Sequence, residues 1–198
     1  MVTSDVDGIK VCGVLFEAGD KQSETLLKVG NEKAEVSHSD NPICFSDVYF
    51  RVGGANYKGK VKNCVTINSN DVIGDNFWVW RADHGDNVGW DMNTAPNGIV
   101  INGDNVTMYG LFVEHFQEYQ TIWNGNGGKL YFYQSEMPYD APNQKYYMSH
   151  NGKVKGYASF KIGDEVNDFY GCGLGIYCYN RDANIEIFSG AEIPNKDG

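Results

Sequence analysis

No apolar run in these 198 residues approaches the roughly 20 that a membrane-spanning helix needs. The first residues, Met1-Val2-Thr3-Ser4-Asp5, show no basic segment leading into an apolar one, so no signal peptide is visible in this chain. Runs of Lys and Arg are also missing. With 16 basic residues against 26 acidic ones the net charge is −10, a surface that repels phosphate backbones and argues against nucleic acid as a partner. A neutral polymer meets no such repulsion. The sequence has no G-x-S-x-G elbow, no P-loop, no G-x-G-x-x-G after a strand and no H-E-x-x-H. Its five cysteines (Cys12, Cys44, Cys64, Cys172, Cys178) form no C-x-x-C pair, and no His stands at zinc-finger spacing, so neither a metal site nor a cofactor is expected. Cys172 and Cys178 are near enough in sequence to be bonded; the reading preferred here is that all five are small buried residues.

Proline is scarce too, at 5, whereas Gly (24), Tyr (13), Phe (10) and Trp (4) are plentiful and Asn and Asp recur. That mixture suits short strands and many turns, because Gly and Asn accept positive φ at low cost. It does not suit a helical bundle.

One pattern returns along the chain: a Gly/Asn/Asp turn, a short apolar strand, then a strand bearing polar groups. It is seen in 13–19, 47–53, 77–83, 110–114, 130–134 and 174–178. Ile67-Asn68-Ser69-Asn70-Asp71-Val72 lies over Ile101-Asn102-Gly103-Asp104-Asn105-Val106, and Trp123-Asn124-Gly125-Asn126-Gly127-Gly128 supplies a comparable turn later. Self-similarity of this kind marks a solenoid. The predicted fold is therefore all-β, a right-handed parallel β-helix of about six coils forming one domain over 1–198. A jelly-roll β-sandwich is the alternative, but it calls for clean alternation and frequent hairpins. Stacked coils bring like residues together at about 4.8 Å, so the Asn turns should form hydrogen-bonded ladders. Long insertions fall at 83–96 and 137–156. The sequence starts inside the repeat and stops at Pro194-Asn195-Lys196-Asp197-Gly198. Because open solenoid ends expose apolar surface and strand edges, a longer protein, a missing β-helix half or self-association is expected to cover them.

Hydrolysis of a glycan needs only two carboxylates, one acting as general acid and the other activating water or attacking directly. Glu114 and Glu136 stand 22 residues apart, about one uninterrupted coil, which should place them on one face of neighbouring coils. A side-chain offset would then open the roughly 6.5–9.5 Å gap that an inverting enzyme needs for its water. Glu136 is flanked in sequence by Tyr131, Phe132, Tyr133, Met137 and Tyr139, an apolar setting that would raise its pKa. Against this, carboxylates on solenoid surfaces are common, and such a spacing arises by chance. In Arg81-Ala82-Asp83-His84, Asp83 either orients His84 and contacts sugar hydroxyls beside Trp80 and Trp90, or forms a structural pair with Arg81; the pair is favoured. His115 reads equally as a packed turn residue or a proton shuttle.

Glu114-His115 with the Gln/Tyr-rich strand after it, followed by Gln134-Ser135-Glu136-Met137-Pro138-Tyr139, resembles consecutive coils of the family 55 glycoside hydrolases, which cut β-1,3-glucans. The likeness covers roughly residues 65–180 and is most specific from Trp123 to Tyr139. Trp78-Val79-Trp80-Arg81-Ala82-Asp83-His84-Gly85 also resembles a bacterial β-helix group related to that family. The resemblance implies Glu136 as general acid and Glu114 as the carboxylate that helps to hold the attacking water. Gln134, His115, Gln117, Trp80, Asp83, Trp90 and Tyr139 are then expected around the substrate. It implies a polysaccharide partner, a β-glucan, and a secreted or cell-surface protein. The family's catalytic unit is a pair of β-helices with the cleft between them, and this chain has room for one. A non-catalytic glycan-binding or structural β-helix is the competing reading. A polysaccharide lyase fits poorly, since uronate chemistry generally needs basic residues where this sequence has acids and Gln.

Overall fold

The structure is a computed structural model that describes residues 1–32, 35–55 and 58–196. The last two residues of the Pro194–Gly198 tail thus lie outside the described residues. In chain order the strands are β1 (Val2–Thr3), β2 (Lys10–Glu17), β3 (Ser23–Val29), β4 (Ile43–Val52), β5 (Val61–Ile67), β6 (Val72–Arg81), β7 (Asn97–Ile101) and β8 (Thr107–Glu114). They continue with β9 (Thr121–Trp123), β10 (Gly128–Glu136), β11 (Met148–Ser149), β12 (Val154–Lys155), β13 (Phe160–Ile162), β14 (Phe169–Tyr177) and β15 (Ala191–Glu192).

The chain visits two sheets in turn. One has the order β1-β3-β5-β7-β9-β13-β15 and the other β14-β10-β8-β6-β4-β2. Every ladder in both sheets is parallel. An antiparallel jelly roll is thereby excluded, since its strands are joined as antiparallel neighbours. The antiparallel β11–β12 hairpin belongs to the 137–156 insertion, outside the two sheets. All six repeat segments picked out in the sequence fall on the strands of the second sheet or at their ends.

The core lies between the sheets, filled by columns of like residues. Val48, Phe77, Leu111 and Tyr133 are register partners on β4, β6, β8 and β10, and all are buried. Val29, Ile67, Ile101 and Trp123 form the facing column in the other sheet. Each large apolar side chain so removed from water contributes about 1.5–3 kcal/mol. The buried Tyr133 hydroxyl is paired across the core, 3.0 Å from Thr121 Oγ1.

At the turns after the first sheet, Asn102 Nδ2 donates to Asn68 Oδ1 and Asn124 Nδ2 donates to Asn102 Oδ1, both at 2.8 Å. Beside this ladder the coils approach so closely that a Cβ on Gly103 would collide with the Ser69 carbonyl oxygen. In the second sheet, Gly13, Asp47, Asn76, Gly110, Phe132 and Gly173 each adopt a left-handed φ of 53–71° in mid-strand. This conformation costs a residue with a Cβ roughly 1–2 kcal/mol, and five of the six residues are the types that tolerate it. Phe132 is the exception.

The left-handed residue also shifts the inward–outward alternation, as at Ser46 and Asp47, neither of which faces the core. Cys12 and Cys172, just before the left-handed residue, are exposed, as is Cys178; Cys44 is half-buried. Only Cys64 follows the expectation of burial, and all five thiols are free.

Candidate active site

The outward face of the second sheet carries a column that runs Glu17, Arg51, Trp80, Glu114, Glu136, Tyr177 in register. Glu114 and Glu136 are therefore direct neighbours on β8 and β10, about 4.8 Å apart at the backbone. Their side chains turn to different partners. Glu114 Oε2 accepts from the Trp78 indole at 2.9 Å, toward β6. Glu136 Oε1 accepts from Gln134 Nε2 at 3.1 Å, and its Oε2 accepts from the Tyr139 hydroxyl. Burial pushes the Glu114 carboxyl above the ordinary range; the Trp78 hydrogen bond opposes that, while the nearby charges of Glu136 and Asp83 add to it. The wholly apolar setting expected for Glu136 is not found: Tyr133 points into the core, and Tyr131 stacks on Tyr109 at 5.2 Å. What meets the carboxylate is an amide and a phenol. Gln134 Oε1 itself is buried without a hydrogen-bond partner.

Asp83 and His115 close one side of this pair. His115 is buried, in a left-handed turn at φ 68°, with Nδ1 3.3 Å from the Met137 carbonyl oxygen. Its Nε2 lies 3.7 Å from both Asp83 Oδ1 and Glu136 Oε2. Burial lowers the His115 pKa, against the pull of Asp83. Asp83 Oδ1 is 2.7 Å from His84 Nδ1. Burial alone would raise Asp83, but the His84 contact and the nearby His115 bring it below its ordinary value. Tyr139 packs edge-on against His115 at 4.4 Å, and burial together with Glu136 raises its phenol.

The preferred Arg81–Asp83 pair does not exist. Arg81 is fully buried and grips Asp140 through Nη1 at 2.9 Å and Nη2 at 2.8 Å. Its remaining bonds go to the carbonyls of Asn93, His115 and Gly89. Arg81 shares the inward face with Phe77 and Val79, but β6 ends there, so the alternation that would carry Asp83 inward no longer holds. Asp83 instead faces Arg181, whose Nη1 lies 3.6 Å from Asp83 Oδ2. Neither Arg181 nor Trp78 was singled out from the sequence as a site residue. Trp78 was recoverable, since it shares an outward face with Trp80; nothing local marks Arg181.

Two expected substrate residues serve the loops. Gln117 Nε2 donates to Trp90 O at 2.7 Å, and its Oε1 accepts from Ala95 N at 2.9 Å. Trp90 packs edge-on to Tyr147 at 6.3 Å, beneath the Arg81 guanidinium, in a small second core with Ala141 and Ile185. Trp80 remains on the open face, stacked on Trp78 at 5.3 Å. Together with Leu15, Tyr49, Phe50 and Arg51 they line a cleft of about 510 Å³. Among the described residues no three His, Cys, Asp or Glu side chains converge as metal ligands.

Four likenesses bear on this geometry. A family model described as the LAM55 pectate lyase-like domain matches residues 1–136. An exo-β-1,3-glucanase from Streptomyces sp. (strain SirexAA-E / ActE) is 48% identical over 195 residues, which is 98% of this chain and 32% of that protein. The structure of sacteLam55A from Streptomyces sp. SirexAA-E matches 100% of this chain and 36% of its own, with a TM-score of 0.94 and 46% identity. A variant of sacteLam55A in complex with glucose gives a TM-score of 0.93 at 45% identity, over 100% of this chain and 35% of that one. This chain thus spans about a third of the length of the relatives it matches. The match runs from the first residue through the whole of the Glu114–Glu136 ladder, and on that ground the chain belongs to the LAM55 pectate lyase-like family.

Proposed function

We propose that this chain carries the acid–base carboxylates of an inverting β-1,3-glucan hydrolase, with Glu136 as general acid and Glu114 helping to position the water. The observation that carries the reading is the register pairing of these two glutamates on one open face, with Asp83, His115 and Tyr139 beside them. Similarity to an exo-β-1,3-glucanase supports the substrate class. Glu136 would protonate the leaving glycosidic oxygen while Glu114, held by Trp78, accepts a hydrogen bond from the water that attacks the anomeric carbon from the other side. Their divergence toward Tyr139 and Trp78 makes room for that water. Trp80 offers a face for a pyranose ring. We further read the two alternating parallel sheets as the walls of a right-handed β-helix, the hand of nearly all parallel crossovers. The family and the polymer suit a secreted or cell-surface protein.

Assigning the acid to Glu136 follows the resemblance of its Gln134–Tyr139 segment; the burial that raises Glu114 favours the reverse. Glu136→Gln and Glu114→Gln separate the two. Loss of the general acid lowers laminarin hydrolysis by about 10²–10⁴-fold, yet spares an aryl glucoside whose leaving group needs no proton. The variant that keeps aryl glucoside activity identifies the acid. If wild-type protein releases no reducing sugar between pH 4 and 8 but still binds glucan, the non-catalytic module replaces the hydrolase.

A further inference from the structure

We infer that Phe132 is a stacking platform for a glucosyl unit of the polymer beyond the one at Glu136, an inference that rests on the glucan reading above. Phe132 occupies the mid-strand left-handed position at φ 61°, where the other five coils place Gly, Asp or Asn. A bulky residue there is a backbone outlier, and such outliers gather where function maintains them. Packing gives little return for the strain, because the ring is 61% exposed. Its position has a clear use. Phe132, Gln134 and Glu136 lie on β10 with their side chains on the outward side, so the ring stands beyond Gln134 from the carboxylate. It meets Phe112 edge-on at 5.6 Å, and Phe112 is the register partner of both Gln134 and Trp78, the residue that holds Glu114. Trp78, Phe112 and Phe132 thus occupy successive outward positions leading away from the carboxylates. A neutral sugar polymer, whose rings present apolar C–H faces, matches them.

The test is affinity electrophoresis of the whole chain in native gels containing laminarin, with thermal melting alongside. Phe132→Asn installs the residue that β6 already carries at this position, Asn76, so the fold is kept. The Asn variant should bind laminarin about 3- to 10-fold more weakly, while Phe132→Tyr stays within about twofold of wild type. Its melting temperature should lie no more than about 2 °C below wild type, since relief of the strained backbone offsets the lost contact. Equal retardation of wild type and Phe132→Asn, or no retardation of either, overturns the inference. So does a fall of more than about 5 °C, which would make Phe132 a packing residue. Laminarin hydrolysis with unchanged retardation would leave the hydrolase standing and this inference refuted. Retardation that depends on Phe132 without hydrolysis would do the reverse.

Discussion

Replacing Arg81 by Met should be among the most damaging single changes available in this protein, although the side chain is invisible from the surface. The guanidinium uses five N–H bonds, two to Asp140 and one each to Asn93, Gly89 and His115 carbonyls, with every donor satisfied. Met fills much of the volume but leaves the Asp140 carboxylate, itself 8% exposed, without its counter-ion. Breaking one side of a buried pair costs about 3–5 kcal/mol. For a chain of this size each kcal/mol moves the melting temperature by about 2–4 °C, so a fall of roughly 6–20 °C is expected. Differential scanning calorimetry at neutral pH measures it. Arg81→Met combined with Asp140→Leu should recover a large part of the loss, because the damage lies in the stranded charge and not in the missing attraction. A single variant melting within about 3 °C of wild type, or a double variant melting no higher than the single one, refutes this account.

Two further outcomes follow from groups that titrate. Trp78→Phe removes the hydrogen bond that holds the Glu114 carboxyl down, so its pKa should climb further and the acid limb of the kcat/KM profile on laminarin should move to higher pH; a limb that moves to lower pH contradicts the water-positioning role. His38 is buried, with its ring nitrogens 2.7 Å from Asp7 and 2.8 Å from Asp5. Burial opposes charge on the ring, but these bonds outweigh it and raise the His38 pKa; for Asp5, bonds from Ser69 and His38 overcome burial and lower its own. The clamp's contribution is lost as pH rises through the raised His38 value and as it falls through the lowered Asp5 value. The difference in melting temperature between wild type and His38→Asn should thus be widest from about pH 4 to 6.5 and narrow on both sides. A difference that stays the same well below pH 4 and well above pH 6.5 would disprove the linkage.

The parts of the fold legible in the sequence are those where stacking imposes a repeated chemistry. Asn68, Asn102 and Asn124 recur because each amide must answer the one below, and the Gly at 103 because nothing larger fits. The spacing of Glu114 and Glu136 was readable for the same reason: no insertion interrupts that coil. Insertions have no period, and there the reading failed. Asp140 lies 59 residues from Arg81, in a segment with no repeat to align, so the adjacent Asp83 looked like the natural partner. For Trp90 and Gln117 composition does not separate the two possible duties, since an aromatic ring and an amide near an acid look the same whether they face a sugar or support a loop. Cys12 and Cys172 escaped notice because simple alternation cannot register a left-handed residue in mid-strand, and Cys178 because it follows the edge strand β14.

The amide ladder through Asn68, Asn102 and Asn124 has a bearing on how such molecules change length. The middle rung, Asn102, gives one hydrogen to the rung before it and offers one oxygen to the rung after, so the ends left by cutting on either side of it are complementary. A whole turn can be excised or duplicated in a gene and the severed surfaces will still recognise each other. Growth by copying single turns, with loops elaborated afterwards at a fixed station, is the evolutionary route that this architecture leaves most open.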